Sequence, residues 1–283
     1  MTLPARRLAI PATIVGLLLF IGVFPSARAS AQAFLDLFRV VHIAAIPVDV
    51  DRLNQLSRNG LDIQTLIGSQ VEVLADPGPA RVFTSPAEAA KAAALDLRLP
   101  AAVPGNLTLV RAELKGEHAA RVTADSRKLQ DVLDALDIGD LKPPAGLDGQ
   151  TATIRVPPIV RTVYANGATE VSFFQARRPE VTLPAGLDLP PIAEIGLRIA
   201  GVGATEAHTL AQAIDWRTTM LVPIPAGATT FRQVDVAGNR GLLVESTTGR
   251  KLKAVLWSTG DAMYAITGGM SGQTLLQMAG SVQ

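Results

Sequence analysis

The chain has 283 residues, 26 Lys and Arg against 25 Asp and Glu, three histidines and no cysteine. The absence of cysteine excludes disulfides, thiolate metal sites and thiol catalysis. Setting aside residues 1–29, which hold Arg6, Arg7 and Arg28 and no acid, leaves a near-neutral remainder without clustered bases, which excludes nucleic acid as a partner.

The first element is an apolar run from Leu8 to Phe24, preceded by Arg6 and Arg7 and followed by Pro25 and Ala27-Arg28-Ala29. Its length sits at the lower limit for crossing a hydrocarbon core of about 30 Å, and the arginines orient the remainder away from the cytoplasm. We read residues 1–31 as a transmembrane anchor or signal peptide, and residues 8–24 as the contact with the membrane. The preferred reading is a single-pass protein of the cell membrane with its C-terminal domain extracytoplasmic. The alternative is secretion after cleavage near Ala29, where small residues at alternate positions suit a processing peptidase. Only seven residues precede the run, so no cytoplasmic binding module is expected.

The rest divides into a helix-rich α+β part, 32–165, and a C-terminal antiparallel meander with a terminal helix, 166–283. The two are allowed to form one domain. From Gln32 to about Asp76 the pattern predicts helix: Phe34, Leu35, Phe38 and Val41 at helical spacing, then Leu53 and Leu56. Ser85-Pro86-Ala87-Glu88 is a helix start with a Ser cap, Pro at the first helical position and Glu three residues after the cap. Leu107 to Leu114 alternates as a strand, and His118 to Thr123 is expected to pair with it as a hairpin across Gly116. Asp125 or Ser126 caps a helix that carries Leu129, Val132, Leu133 and Leu136 on one face. Thr151 to Val156 is a strand ended by Pro157-Pro158.

In the second part Glu170 to Gln175 reads as a strand and Ile192 to Ile199 as a helix behind Pro190-Pro191. Thr205 caps a helix with Leu210 and Ile214. Five strands are expected next: Met220–Ile224, Phe231–Val236, Gly241–Glu245, Leu252–Ser258 and Ala262–Thr267. Ala237-Gly238-Asn239 and Thr259-Gly260-Asp261 form their tight turns, and a helix from Gln273 to about Ala279 covers one face. Pro-Ala-Gly-Leu-Asp, at Pro144–Asp148 and at Pro184–Asp188, reads as two similar glycine turns rather than a repeat. The expected fold class is α+β, a mainly antiparallel sheet with helices packed on one face, after one N-terminal membrane helix or signal peptide.

Chemistry-bearing residues are scattered. His42, His118 and His208 lie far apart, and Glu206 falls on a different helix face from His208. Asp134, Asp137 and Asp140 lack the alternating ligands and closing Glu of a calcium loop. Gly268-Gly269-Met270-Ser271-Gly272 reads as a loop with a Ser helix cap rather than a nucleophile elbow. Gly201-Val202-Gly203 lacks the third glycine of a phosphate loop. Asn106-Leu107-Thr108 matches a glycosylation sequon, and Trp216, Trp257 and Tyr264 read as core plugs. No catalytic, cofactor-binding or metal-binding residue is expected and the chain is read as no enzyme. A cleft gathering Asp215, Glu245 or His208 would reverse that.

One set of segments stands above this background: Ile214-Asp215-Trp216, Met220–Pro225, Gly241-Leu242-Leu243-Val244-Glu245, Ala254-Val255-Leu256-Trp257 and Tyr264-Ala265-Ile266-Thr267-Gly268, closed by a leucine-bearing helix. It resembles an extracytoplasmic domain of unknown function found in bacterial single-pass membrane proteins, some of them similar to anti-sigma factors. The juxtamembrane stretch from Phe34 resembles that of the same proteins. The resemblance implies a membrane-tethered extracytoplasmic interaction or sensory domain of the cell envelope, without catalytic activity and with a protein partner in or outside the membrane. The second class is a carrier module for a lipid or other apolar ligand, held between a curved sheet and its helices as in lipoprotein-carrier-like domains. A wide apolar cavity favours the carrier; a filled core with an exposed apolar patch favours the interaction domain.

Overall fold

The computed structural model describes residues 42–52, 70–216, 219–227, 229–247, 252–260 and 262–283. The apolar run at 8–24 and the expected helical positions Phe34 to Val41, Leu53 and Leu56 lie outside them. Among the described residues no helix is long and apolar enough to cross a membrane. The fold is α+β with mainly antiparallel sheet, as the sequence implies.

In chain order the elements begin with β1 (His42–Val48), β2 (Gln70–Ala75), β3 (Arg81–Phe83), α1 (Pro86–Ala93), β4 (Thr108–Lys115) and β5 (His118–Thr123). Next come α2 (Ser126–Ala135), β6 (Thr151–Val156), β7 (Ile159–Asn166), β8 (Thr169–Arg177) and β9 (Glu180–Thr182). The chain continues through α3 (Leu189–Ile199), α4 (Ala204–Ala213), β10 (Thr219–Pro225) and β11 (Thr229–Val236). It closes with β12 (Asn239–Ser246), β13 (Lys253–Thr259), β14 (Ala262–Gly268) and α5 (Gly272–Gly280).

Local chemistry explains many of these boundaries. Ser85 accepts from the Glu88 amide at the start of α1, Asp125 from the Arg127 and Lys128 amides at α2, and Ser271 from the Thr274 amide at α5. Each satisfies amides that the first helical turn leaves unpaired. Ala237 and Gly238 both have positive φ, 49° and 82°, so the β11–β12 hairpin closes on a type I′ turn whose twist suits the strands. The two Pro-Ala-Gly-Leu-Asp segments are indeed alike: Gly146 and Gly186 both have φ of 80°.

An eight-stranded antiparallel sheet, in the order β11-β12-β13-β14-β8-β7-β4-β3, forms the body of the fold. On one face Phe173, Trp257, Tyr264 and Ile266 are buried beneath Leu275, Met278 and Ala279 of α5. The Trp257 and Tyr264 rings stack at 5.2 Å, and Phe173 lies 6.1 Å from Tyr264, spacings that add attraction to simple area burial. At the far end of the same face Ala89 and Ala93 of α1 cover Ala112, Leu114 and Val160. Between the two helices Gln175 donates to the Asp96 carbonyl and accepts from the Arg98 amide, so a buried amide side chain ties the α1–β4 connection to the sheet.

A second sheet, β2-β5-β6-β9, repeats the order β3-β4-β7-β8 of the first. Each of four neighbouring strands therefore crosses from one sheet to the other, through residues 76–80, Gly116-Glu117, Pro157-Pro158 and Arg178-Pro179. Proline cannot donate to a ladder, and Pro77, Pro79, Pro157, Pro158 and Pro179 stop the ladder at one level, leaving a seam. Gly116 is needed for close approach rather than for a turn: its φ is not positive, and a Cβ there would stand 2.9 Å from the Pro77 carbonyl oxygen. The hairpin expected across Gly116 is thus not formed. β5 pairs with β2 and β6 instead of β4, because a two-residue hairpin loop needs positive φ that this connection does not adopt.

The third sheet is the parallel pair of β1 and β10, in register from His42 with Thr219 to Val48 with Pro225. Both faces of the pair are apolar, as parallel strands buried on two sides require. Met220, Val222 and Ile224 meet Leu242, Val244, Leu256 and Met263 on the other face of the large sheet. Ile46 and Leu221 turn outward to Leu189 and Leu197 of α3, Ala207 and Ala211 of α4, and Trp216. The Trp216 indole N–H donates to the Ala211 carbonyl at 2.7 Å.

Several expectations are corrected. His42–Val48 and Gln70–Ala75, expected as helix, are strands, because each pairs with a strand remote in sequence, Thr219–Pro225 and His118–Thr123. The strand at Met220 leaves the meander to pair with β1. Helices do not keep to one face: α1 and α5 cover one side of the large sheet, while α3 and α4 lie beyond the β1–β10 pair on the other. β3, β7 and β9 were not anticipated, and α3 starts at Leu189, before the two prolines rather than behind them. Hydrogen bonding between β7 and β8 runs across position 165/166, so the two parts share one sheet.

Candidate interaction surface

The residues singled out for chemistry do not converge. His42 opens β1, His118 opens β5 and His208 lies on α4. His208 Nδ1 is 2.9 Å from Glu194 Oε2, an exposed link between α4 and α3. Glu245 pairs with Lys253 at 2.7 Å on the α5 side of the large sheet, whereas α4 is on the opposite side. The Asp215 carbonyl accepts from the Thr219 amide. Asp215, Glu245 and His208 thus share no cleft. Asp134, Asp137 and Asp140 are all exposed, and Asp140 is spent on a two-pronged bond to Arg198 of α3 at 2.7 and 2.9 Å. That hydrogen bond holds the Asp140 carboxyl below its ordinary value. Among the described residues no group of three or more His, Asp or Glu is placed to hold a metal ion.

Ser271 is the α5 cap, and Gly203 stands just before α4. Trp216, Trp257 and Tyr264 are core residues, each under 10 % exposed. Asn106 of the sequon has φ of 57° in the tight turn before β4.

The densest charge cluster lies on the face of β4, β7 and β8 opposite α1. Arg161 donates to Ser172 Oγ at 2.8 and 3.1 Å, to Glu113 at 3.1 Å and to Glu170 at 3.1 Å. Arg111 adds a 2.6 Å bond to Glu113, and the Arg161 guanidinium lies 5.6 Å over the Phe174 ring. Partial burial pushes the Glu113 carboxyl up, but the Arg111 hydrogen bond and the charges of Arg161 and Arg111 outweigh it and hold the group below its usual range. Two arginines face two glutamates, so the charges of the network balance. Beyond the seam Glu117–Arg155 and Glu72–Arg121 continue the same polar face.

What the surface offers instead is apolar. At the β3 end of the sheets Val71, Val73 and Leu74 of β2, Val82 of β3, and Leu109 and Val110 of β4 are exposed, Val82 by 67 % and Val73 by 58 %. β3 pairs only with Ala112–Leu114, so on that side Thr108–Arg111 of β4 has no strand neighbour among the described residues. Both strands bordering this margin are irregular, with register breaks between Val73 and Ala75 and between Leu109 and Arg111. Sequence reading missed this margin because it placed Val71 and Val73 in a helix, and only the pairing order puts β2 at an edge.

The opposite end is β11, also an outer strand. It pairs with β12 over its whole length without a register break, and Phe231 is 45 % exposed. No family model matches the chain, and no curated protein or solved structure matches it.

Proposed function

We propose that this chain is a membrane-tethered extracytoplasmic interaction domain without catalytic activity, engaged by a protein partner along the β2–β3–β4 margin. The observation that carries this reading is the contrast between a filled core and an exposed apolar edge. Beneath α5 the described side chains pack closely: a Cβ at Gly272 would stand 2.9 Å from Leu243, and Leu275 and Met278 are buried. Six large apolar side chains stand exposed along one margin, shared between its two faces, and exposed apolar surface marks contact sites. The tether at 8–24 and the resemblance to extracytoplasmic domains of single-pass proteins belong to the same reading.

The test is site-specific photo-crosslinking of the full chain in its native membrane, with the crosslinker at position 73 or 82 and a control at Thr182 on the polar face. A discrete adduct at 73 and 82 but not at 182 is expected, the adduct at 73 being abolished by Val82→Lys. Equal labelling at all three positions, or none, rejects the reading.

One observation favours the carrier alternative. Val122, Ile154 and Val156, on the apolar face of the small sheet, are only half-buried. A stoichiometric lipid co-purifying with the full chain, and lost on Ile154→Asp, would support a carrier in place of a protein partner.

A further inference from the structure

We propose that the outer edge of β11 receives an extended peptide as an additional antiparallel strand, with an acidic residue set against Arg232 and the apolar residue that follows it set beside Phe231. This site is at the other end of the sheet from the β2–β3–β4 margin and does not depend on it.

The hairpin turn sets the bonding pattern of β11. Val236 and Asn239 flank the two-residue loop, and in such a hairpin the flanking pair exchanges both backbone hydrogen bonds. Bonding to β12 then falls on every second residue: Val236, Val234, Arg232 and Thr230. The N–H and C=O groups of Thr229, Phe231, Gln233 and Asp235 therefore point away from β12, where no strand lies among the described residues. An edge of this kind is a template for another strand unless the chain blunts it with proline, lysine, a bulge or extreme shortness. β11 has no proline, lysine or bulge, and of the blunting devices carries only two charged side chains, Arg232 and Asp235: its sequence is TTFRQVDV over eight residues, in unbroken register.

The side chains select the occupant. Every neighbouring pair in the large sheet is antiparallel, so the added strand takes the same sense. Residues opposite one another share a face. Phe231, exposed beside Val244, calls for an apolar partner. Arg232, on the other face and without an ion-pair partner among the described residues, calls for an acid one position earlier in the incoming chain. Asp235 calls for a base three positions before that acid. A second copy of β11 fits poorly: one of the two centred self-pairing registers sets Arg232 against Arg232, and the other sets Phe231 against Asp235.

The probe is a labelled peptide Lys-Thr-Val-Glu-Val-Thr, titrated by fluorescence anisotropy against the full chain in detergent, with hydrogen exchange as a second readout. Saturable binding with new protection confined to 229–236 is expected. Gln233→Pro removes an outward N–H without touching the β12 ladder and should weaken binding about tenfold or more, with the melting temperature unchanged. Arg232→Glu should reverse the preference toward a peptide carrying Lys in place of Glu. No saturation, binding unmoved by Gln233→Pro, or concentration-dependent dimerisation through β11 would each overturn the proposal.

Discussion

The two ends of the large sheet solve the same problem in opposite ways. At the β3 end the outermost strand has three residues, the neighbouring strands carry register breaks, and Pro77 and Pro79 stand at the seam. These are the devices that discourage strand addition, so the apolar side chains there offer a surface without offering a ladder. At the β11 end the backbone is regular and open, while the exposed side chains are mostly polar. One edge is suited to side-chain contact and the other to backbone pairing. The separation follows from the seam: prolines that let four strands cross into a second sheet also spoil the ladder beside them, while the meander has no such crossings.

The sharpest way to break this comparison is at the core that supports the β11 end. Trp257→Ala removes a ring that is 2 % exposed and stacked on Tyr264, and should cost about 3–5 kcal/mol, measured by urea unfolding of the full chain. A cost below about 1 kcal/mol would mean that the meander end is loosely packed and its regular edge incidental. Next in size is the seam. Gly116→Val places a branched side chain against the Pro77 carbonyl and should cost about 1–3 kcal/mol. Hydrogen exchange should rise in β2, β5 and β6 while β12 to β14 keep their protection. Uniform loss would show that the two ends are not separable.

A smaller effect comes from the ion network near the seam. The Glu113 carboxyl is lowered in the folded state, so its contribution to stability is present above the ordinary carboxylate value and is lost as pH falls through the lower folded value. Glu113→Gln should flatten the acid limb of the stability–pH profile, with little change in slope near neutral pH. An unchanged acid limb would remove the network from the account. Smallest of all, Val73→Lys and Val82→Lys should alter stability by less than about 0.5 kcal/mol, because both side chains are already in water. A larger loss in thermal unfolding would show that the margin is internal packing rather than a contact surface.

Much of the meander was legible along the chain. Ala237-Gly238 and Gly260 turn strands that pair with their sequence neighbours, and Ser85, Asp125 and Ser271 announce their helices through caps a few residues long. Such signals are local, and local chemistry is what a sequence displays. The apolar margin was not legible, because the stretch holding Val71 and Val73 read as helix and exposure depends on which strands are adjacent. Nor was the charge network around Arg161, whose partners come from the strands on either side, β4 and β8.

By itself, then, the sequence determined an α+β chain built on antiparallel strands, the absence of thiol chemistry, the caps, the turns and the aromatic core residues, all through interactions spanning a few positions. Only the tertiary structure decided that His42–Val48 is a strand, because its partner, Thr219–Pro225, lies far along the chain and its two faces are covered by the large sheet and by α3 and α4. It also decided that Gly116 marks a close approach rather than a hairpin. The distinction rests on a carbonyl of Pro77 brought beside it by the fold, a contact that no pattern within β4 and β5 encodes.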